Sequence, residues 1–180
     1  MVSLHRIDAH KELVTTQRAI KKIDTENIVI APNQSVLVLG LGSPFGMDRL
    51  GWQVIKALES LNLGEHVSFA ILDRPGPRLI SYFDQAECVI LVDAVVGTGS
   101  QGQLCCLGVD EICRMQSHLS SHGFGVAEAV ALAQKLGQLP EALFLIGVDI
   151  GECTTELERI ETEAYATPIV KYLTALLTNS

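Results

Sequence analysis

From residue 35 onward the chain alternates short, nearly unbroken apolar runs with amphipathic segments of helical period, and this alternation restricts the fold more than any other feature. Runs such as Val36-Leu37-Val38-Leu39 and Cys88-Val89-Ile90-Leu91-Val92 have no polar face, which is the form required of a strand covered on both sides. Strands of that kind, separated by helical segments, assemble as β-α-β units on a parallel sheet. The expected architecture is α/β: a single three-layer domain whose mostly parallel, twisted sheet of about five strands carries helices on both faces.

The pattern places strands at residues 35–42, 67–72, 88–95, 103–107 and 142–148, with 103–107 at an edge. Helices are expected over 50–61, where Leu50, Val54, Leu58 and Leu61 form one stripe, and over 77–86, with a short turn at 109–115. A further helix spans 126–136, and Gly137 stands where its end calls for a left-handed residue. Thr167-Pro168 reads as an N-cap and first-turn pair opening the last helix, which uses Ile169, Leu173 and Leu176. Residues 1–33 stand outside the alternation and form an N-terminal extension, at most a loose helix over 10–23, ahead of an α/β domain at 34–180.

Charge and hydropathy narrow the class of partner. Thirteen Lys and Arg against 21 Asp and Glu leave a formal charge of −8, so the basic stripe that would neutralise a phosphate backbone is missing and nucleic acid is not an expected partner. The apolar runs at 35–42 and 88–96 fall far short of the roughly 18–20 residues that cross a bilayer, so no membrane span is expected. The first third of the extension scatters His5, Arg6, Asp8, Lys11 and Glu12, without the apolar block of a signal peptide, which points to the cytoplasm. Five cysteines, an odd number with no Cys-x-x-Cys pair, are expected to be reduced and structural.

In an open parallel sheet, ligands gather beyond the carboxyl ends of the strands, where the strand order reverses. Four segments are candidates: the loop at 43–49, Leu72-Asp73-Arg74-Pro75-Gly76, Val92-Asp93-Ala94, and Ser120-Ser121-His122-Gly123-Phe124-Gly125. The turn from Gly40 to Gly46 spaces its glycines G-x-G-x-x-x-G and includes Pro44, which removes a backbone donor, so it makes a poor dinucleotide cradle. Positive φ at a tight turn explains Gly40 and Gly42 equally well. Taken singly, Asp48 reads as a helix N-cap, Asp93 as a carboxylate satisfying a turn and His122 as a loop histidine. Together they supply two oxygens and a nitrogen, a set suited to a divalent transition metal with an open position.

These segments also carry a resemblance. Gly40-Leu41-Gly42-Ser43-Pro44-Phe45-Gly46-Met47-Asp48-Arg49-Leu50-Gly51, Leu91-Val92-Asp93-Ala94-Val95, the Ser-x-His-x-x-Gly spacing of residues 120–125, and Leu145-Ile146-Gly147 occur in this order. In that order they resemble the nickel-iron hydrogenase maturation endopeptidases over about residues 35–148. The resemblance implies that Asp48, Asp93 and His122 form a metal-contacting trio, with Asp93 the candidate catalytic carboxylate acting as base or nucleophile. It implies that the metal is nickel, carried by the substrate and contacted transiently. The implied partner is a hydrogenase large-subunit precursor, from which the enzyme removes a C-terminal extension. Without metal, the two carboxylates are expected to be held apart, because like charges at close range would raise one pKa.

The chain departs from the family pattern at three places. Ser43 replaces an Asn, Met47 stands where the first of two acidic residues is usual, and Asp73-Arg74-Pro75-Gly76 replaces Asp-Gly-Gly-Thr or a close relative. The changed second loop and the shortened first loop motivate an alternative, a noncatalytic metal- or protein-binding relative of the same fold. A nucleotide-binding domain is the more distant alternative.

Overall fold

A computed structural model of the chain describes residues 28, 30–96, 102–115, 125–150 and 159–178. The expected helix over 10–23 lies outside these residues, as does Cys153. Strand β1 (Val36–Gly42) is followed by a three-ten turn (Gly46–Arg49) that runs directly into α1 (Leu50–Glu59). Then come β2 (Val67–Asp73), a three-ten segment (Gly76–Tyr82), β3 (Cys88–Val95), the short strand β4 (Leu104–Gly108) and α2 (Val109–Arg114). Helix α3 (Val126–Leu136), β5 (Ala142–Asp149) and α4 (Arg159–Thr178) complete the domain.

The five strands form one sheet in the order β2-β1-β3-β5-β4. The first four in that order run parallel, and β4 pairs antiparallel with β5 at the edge. Alternation along the strands divides the core into two layers. Val36, Val38, Ile90, Val92 and Ile146 face α1 and α4, where Leu50, Val54, Leu58, Ile169 and Leu173 meet them. Ile28 and Ile30 are buried on that side too. Leu37, Leu39, Leu91 and Leu145 face the other way, toward Leu79 and Phe83 of the three-ten segment, Ile112 of α2, and Val130 of α3. The three expected layers are therefore present, with side chains of period two feeding both. Cys88, Cys106 and Cys113 are free thiols, and burial pushes the pKa of Cys88 up to about 11 and that of Cys106 to about 12.

Two helical expectations need correction. The segment expected as a helix over 77–86 is a three-ten run ending at Tyr82. Pro75 and Pro77 remove two amide donors at its start, and Arg78 N and Phe83 N donate to carbonyls three residues back, those of Pro75 and Ile80. The second correction concerns Pro168, which sits in the middle of a 20-residue helix and does not open it. Thr167 is no N-cap; its hydroxyl donates to the Glu163 carbonyl 2.9 Å away within the same helix. The buried stripe is Ile169, Leu173 and Leu177, and Leu176 is only partly covered.

An interior proline lacks the amide that the helix requires and costs up to about 3 kcal/mol relative to alanine. Pro168 is exposed, so its replacement disturbs no packing. Pro168→Ala is expected to stabilise the protein by about 1–3 kcal/mol. That corresponds to a rise in thermal midpoint of about 3–10 °C by calorimetry; a lower midpoint would contradict the helix described here.

Candidate functional site

The chain leaves β1 toward β2 on one side, and β3 lies on the other, so the strand order reverses between β1 and β3. Both strands point their carboxyl ends at the same edge, with Gly40 in register with Val92. The crevice at such a reversal is where an open parallel sheet offers space to a ligand. Here it is a cleft of about 530 Å³, and its lining includes Asp48, Arg74, Asp93 and Glu128.

Asp48 reaches the cleft because the first loop folds back on itself. Gly42 ends β1 at φ 138°, and a Cβ there would fall on the Asp48 carbonyl. Ser43 then closes the loop twice: its N–H donates to the Asp48 carbonyl at 3.1 Å, and its hydroxyl donates to Asp48 Oδ2 at 3.1 Å. Ser43 is almost fully buried, so this pair fixes the carboxylate from below. The N-cap of α1 is Arg49, with no side-chain cap bond, so Asp48 does not serve the helix. Its carboxylate belongs to the loop and the cleft. Gly40 is needed for a different reason from the one expected: a Cβ there would strike the Gly51 carbonyl and Ile55, so close approach of α1 to the sheet excludes it.

Asp93 follows the five buried residues Cys88 to Val92 of β3, sharing its face with Leu91 and Val95. The alternation that buries those two residues against α2 and α3 brings the carboxylate to the cleft floor. It is half-buried, and its Oδ1 accepts the Ala94 N–H at 2.8 Å. Burial raises its pKa to about 7, the Ala94 hydrogen bond opposes the rise, and the negative charge of Asp48 adds to it. Loss of water is the larger cause of the rise and the Asp48 charge the smaller.

The second loop closes another side of the cleft. Arg74 N–H donates to the Gly42 carbonyl at 2.9 Å, tying this loop to the first, and Trp52 Nε1 donates to the Leu72 carbonyl at 3.3 Å. On the facing side, Glu128 is engaged by its own helix, accepting the Gly125 N–H at 2.9 Å as half of a capping box at the start of α3. Glu128 and Ser43 were not assigned site roles from sequence. A Glu three residues past Gly125 is the capping signal for the former; five residues separate Ser43 from Asp48, and no sequence rule marks such a pair.

The structure brings Asp48 and Asp93 together, and His122 lies outside the described residues. Among the described residues no three His, Cys, Asp or Glu side chains converge as a metal-binding group. No described helix is long and apolar enough to cross a membrane. An open concavity of about 550 Å³ beside Asp110, Glu111 and Arg114 is lined also by Pro140 and Leu143, at the amino end of β5, away from the crevice.

Comparison with known proteins agrees with the motif reading. Residues 53–171 match the profile of the hydrogenase maturation proteases. A hydrogenase expression/formation protein of Azotobacter vinelandii is 32% identical over 122 residues, 66% of this chain and 58% of the relative. The chain spans about three fifths of the length of the curated relatives it matches. Among solved structures, a hydrogenase 2 maturation peptidase from a Thaumarchaeota archaeon is 28% identical with a TM-score of 0.54, covering 80% of this chain and 98% of its own. The hydrogenase maturating endopeptidase of E. coli shares the fold at 24% identity and a TM-score of 0.64, covering 80% and 92%.

Proposed function

The chain belongs to the hydrogenase maturation protease family, and from that premise we propose that it is an endopeptidase that removes the C-terminal extension of a hydrogenase large-subunit precursor already loaded with nickel. The observation that supports this reading best is the meeting of Asp48 and Asp93, from the ends of two different strands, in one cleft where the strand order reverses. Nickel enters as cargo of the substrate. Asp48 and Asp93 offer it carboxylate oxygens and His122 a neutral imidazole nitrogen, a donor set that suits a divalent transition metal.

Hydrolysis needs a proton removed from the attacking water and a proton delivered to the departing amide nitrogen. Asp93, with a pKa raised to about 7, can do both in turn near neutrality. Asp48, held by Ser43, orients the metal-bearing end of the substrate.

The test is incubation of purified protein with nickel-loaded and nickel-free precursor, followed by the size of the large subunit. Wild type is expected to shorten only the loaded form, and Asp48→Asn and His122→Ala to slow cleavage by about 100-fold or more. If wild type binds the loaded precursor and leaves it whole, the chain is a noncatalytic relative. If both variants cut like wild type, the trio is misassigned.

A further inference from the structure

The acidic cleft holds one cation among the described residues that line it, Arg74, and its backbone is unusual. Arg74 adopts φ 40°, in the left-handed region where a side chain is disfavoured, and Gly76 follows at φ 51°. The strained turn is pinned by the Arg74 N–H bond to Gly42. A long charged side chain is thus carried at a position whose backbone favours glycine, on the lip of a cleft that also holds Asp48 and Asp93.

The guanidinium is held along one edge only. Its Nε donates to Asp73 Oδ1 at 2.9 Å, and Arg74 is 70% exposed. The negative charge of Asp73, and to a smaller extent that of Asp48, favours the charged form. The terminal nitrogens have no hydrogen-bond partner among the described residues. A planar fork, fixed at its base with its outer edge open, matches a carboxylate in two parallel hydrogen bonds.

We infer that Arg74 is a specificity-determining residue that binds a carboxylate of the substrate peptide as it crosses the Asp48–Asp93 cleft. Without this cation, an acidic group entering there meets only like charge from the two aspartates. With it, the same group is admitted in one position. The carboxylate has two possible sources, an acidic side chain near the cleavage point or the terminus of the extension.

This inference rests on the endopeptidase reading, and one experiment separates the two. Dissociation constants and cleavage rates are measured for nickel-loaded precursor with wild type, Arg74→Gly, Arg74→Lys and Arg74→Glu. Arg74→Gly is expected to weaken binding about tenfold, the usual scale of a charge-assisted hydrogen bond, with Arg74→Lys between it and wild type and Arg74→Glu weaker than either. The effect should fall on Kd more than on kcat, and shrink as salt rises. Because glycine suits φ 40°, Arg74→Gly should melt no lower than wild type, which removes misfolding as the cause.

Precursors supply the second arm. Converting acidic residues of the extension to their amides should reproduce the Arg74→Gly loss if a side chain is bound. Adding residues beyond the terminus should reproduce it if the terminal carboxylate is bound. Equal Kd for wild type, Arg74→Gly and Arg74→Glu overturns the inference, as does a loss that neither change of precursor reproduces. If wild type binds without cutting, the endopeptidase reading falls while Arg74 is still judged from Kd; if wild type does not bind at all, both fall.

Discussion

Asp93→Asn is expected to abolish processing, by about 1,000-fold or more, while making the folded protein more stable at pH 8. The two effects share one cause. The Asp93 carboxyl has an ordinary value of 3.8 and a folded value of about 7, because β3 holds it away from water. Between those values the unfolded chain has released the proton and the folded chain keeps it, so stability falls as pH rises from about 4 to about 7 and levels off above. A shift of that size corresponds to a loss of about 2–4 kcal/mol once the carboxylate is fully ionised. Asparagine has the same shape, retains an oxygen to accept the Ala94 N–H and never ionises, so it removes this loss along with the base. Urea denaturation of both proteins across pH 5–8 should show the variant's advantage growing with pH. In wild type, processing should fall on acidification as the base becomes protonated. A variant less stable than wild type at pH 8 would contradict the description of Asp93.

Gly51→Ala should be the most damaging small substitution. A Cβ at Gly51 would overlap the carbonyl oxygens of Leu41 and Val92, which belong to the two central strands. Neither can retreat without opening the pairing of β1 with β3, so α1 must lift from the sheet. Overpacking against backbone costs about 3 kcal/mol or more, a fall in thermal midpoint of about 6–12 °C. Activity should fall further than stability alone explains, because the three-ten turn holding Asp48 is continuous with α1. Gly108→Ala is the matched control: a Cβ there meets only Glu111 Oε2, at 3.7 Å, and the expected change is under about 1 kcal/mol. Equal effects of the two substitutions would show that α1 does not sit as closely on the sheet as described.

What could be read in the sequence depended on how much each residue's neighbours in the chain decide. β1, β3 and β5 were legible because a strand covered on both faces must be apolar throughout, and Asp93 was conspicuous as a carboxylate after five buried residues. Helix α3 was bounded correctly because Gly137, at φ 65°, ends it in the left-handed conformation that only such a residue takes readily. Pro168 misled because Thr-Pro has the same appearance at a helix start and inside a helix; packing of Ile169 and Leu173 against α1 outweighs the local preference. Asp48 likewise looked like a cap, and its attachment to Ser43 depends on a loop conformation that spacing does not encode. At Arg74 the only hint of a left-handed backbone was the glycine that the family pattern has there, and the bond from its N–H to Gly42 joins two loops distant in sequence. The family motifs supplied what periodicity could not, the expectation that Asp48, Asp93 and His122 act together.

The central claim is that two carboxylates from separate strand ends meet the metal carried by the substrate, and nickel-edge X-ray absorption of the protein mixed with nickel-loaded precursor addresses it directly. The account predicts that the nickel shell gains oxygen neighbours with wild type and loses part of that gain with Asp48→Asn. A nickel spectrum identical in free precursor and in a demonstrated complex would contradict it.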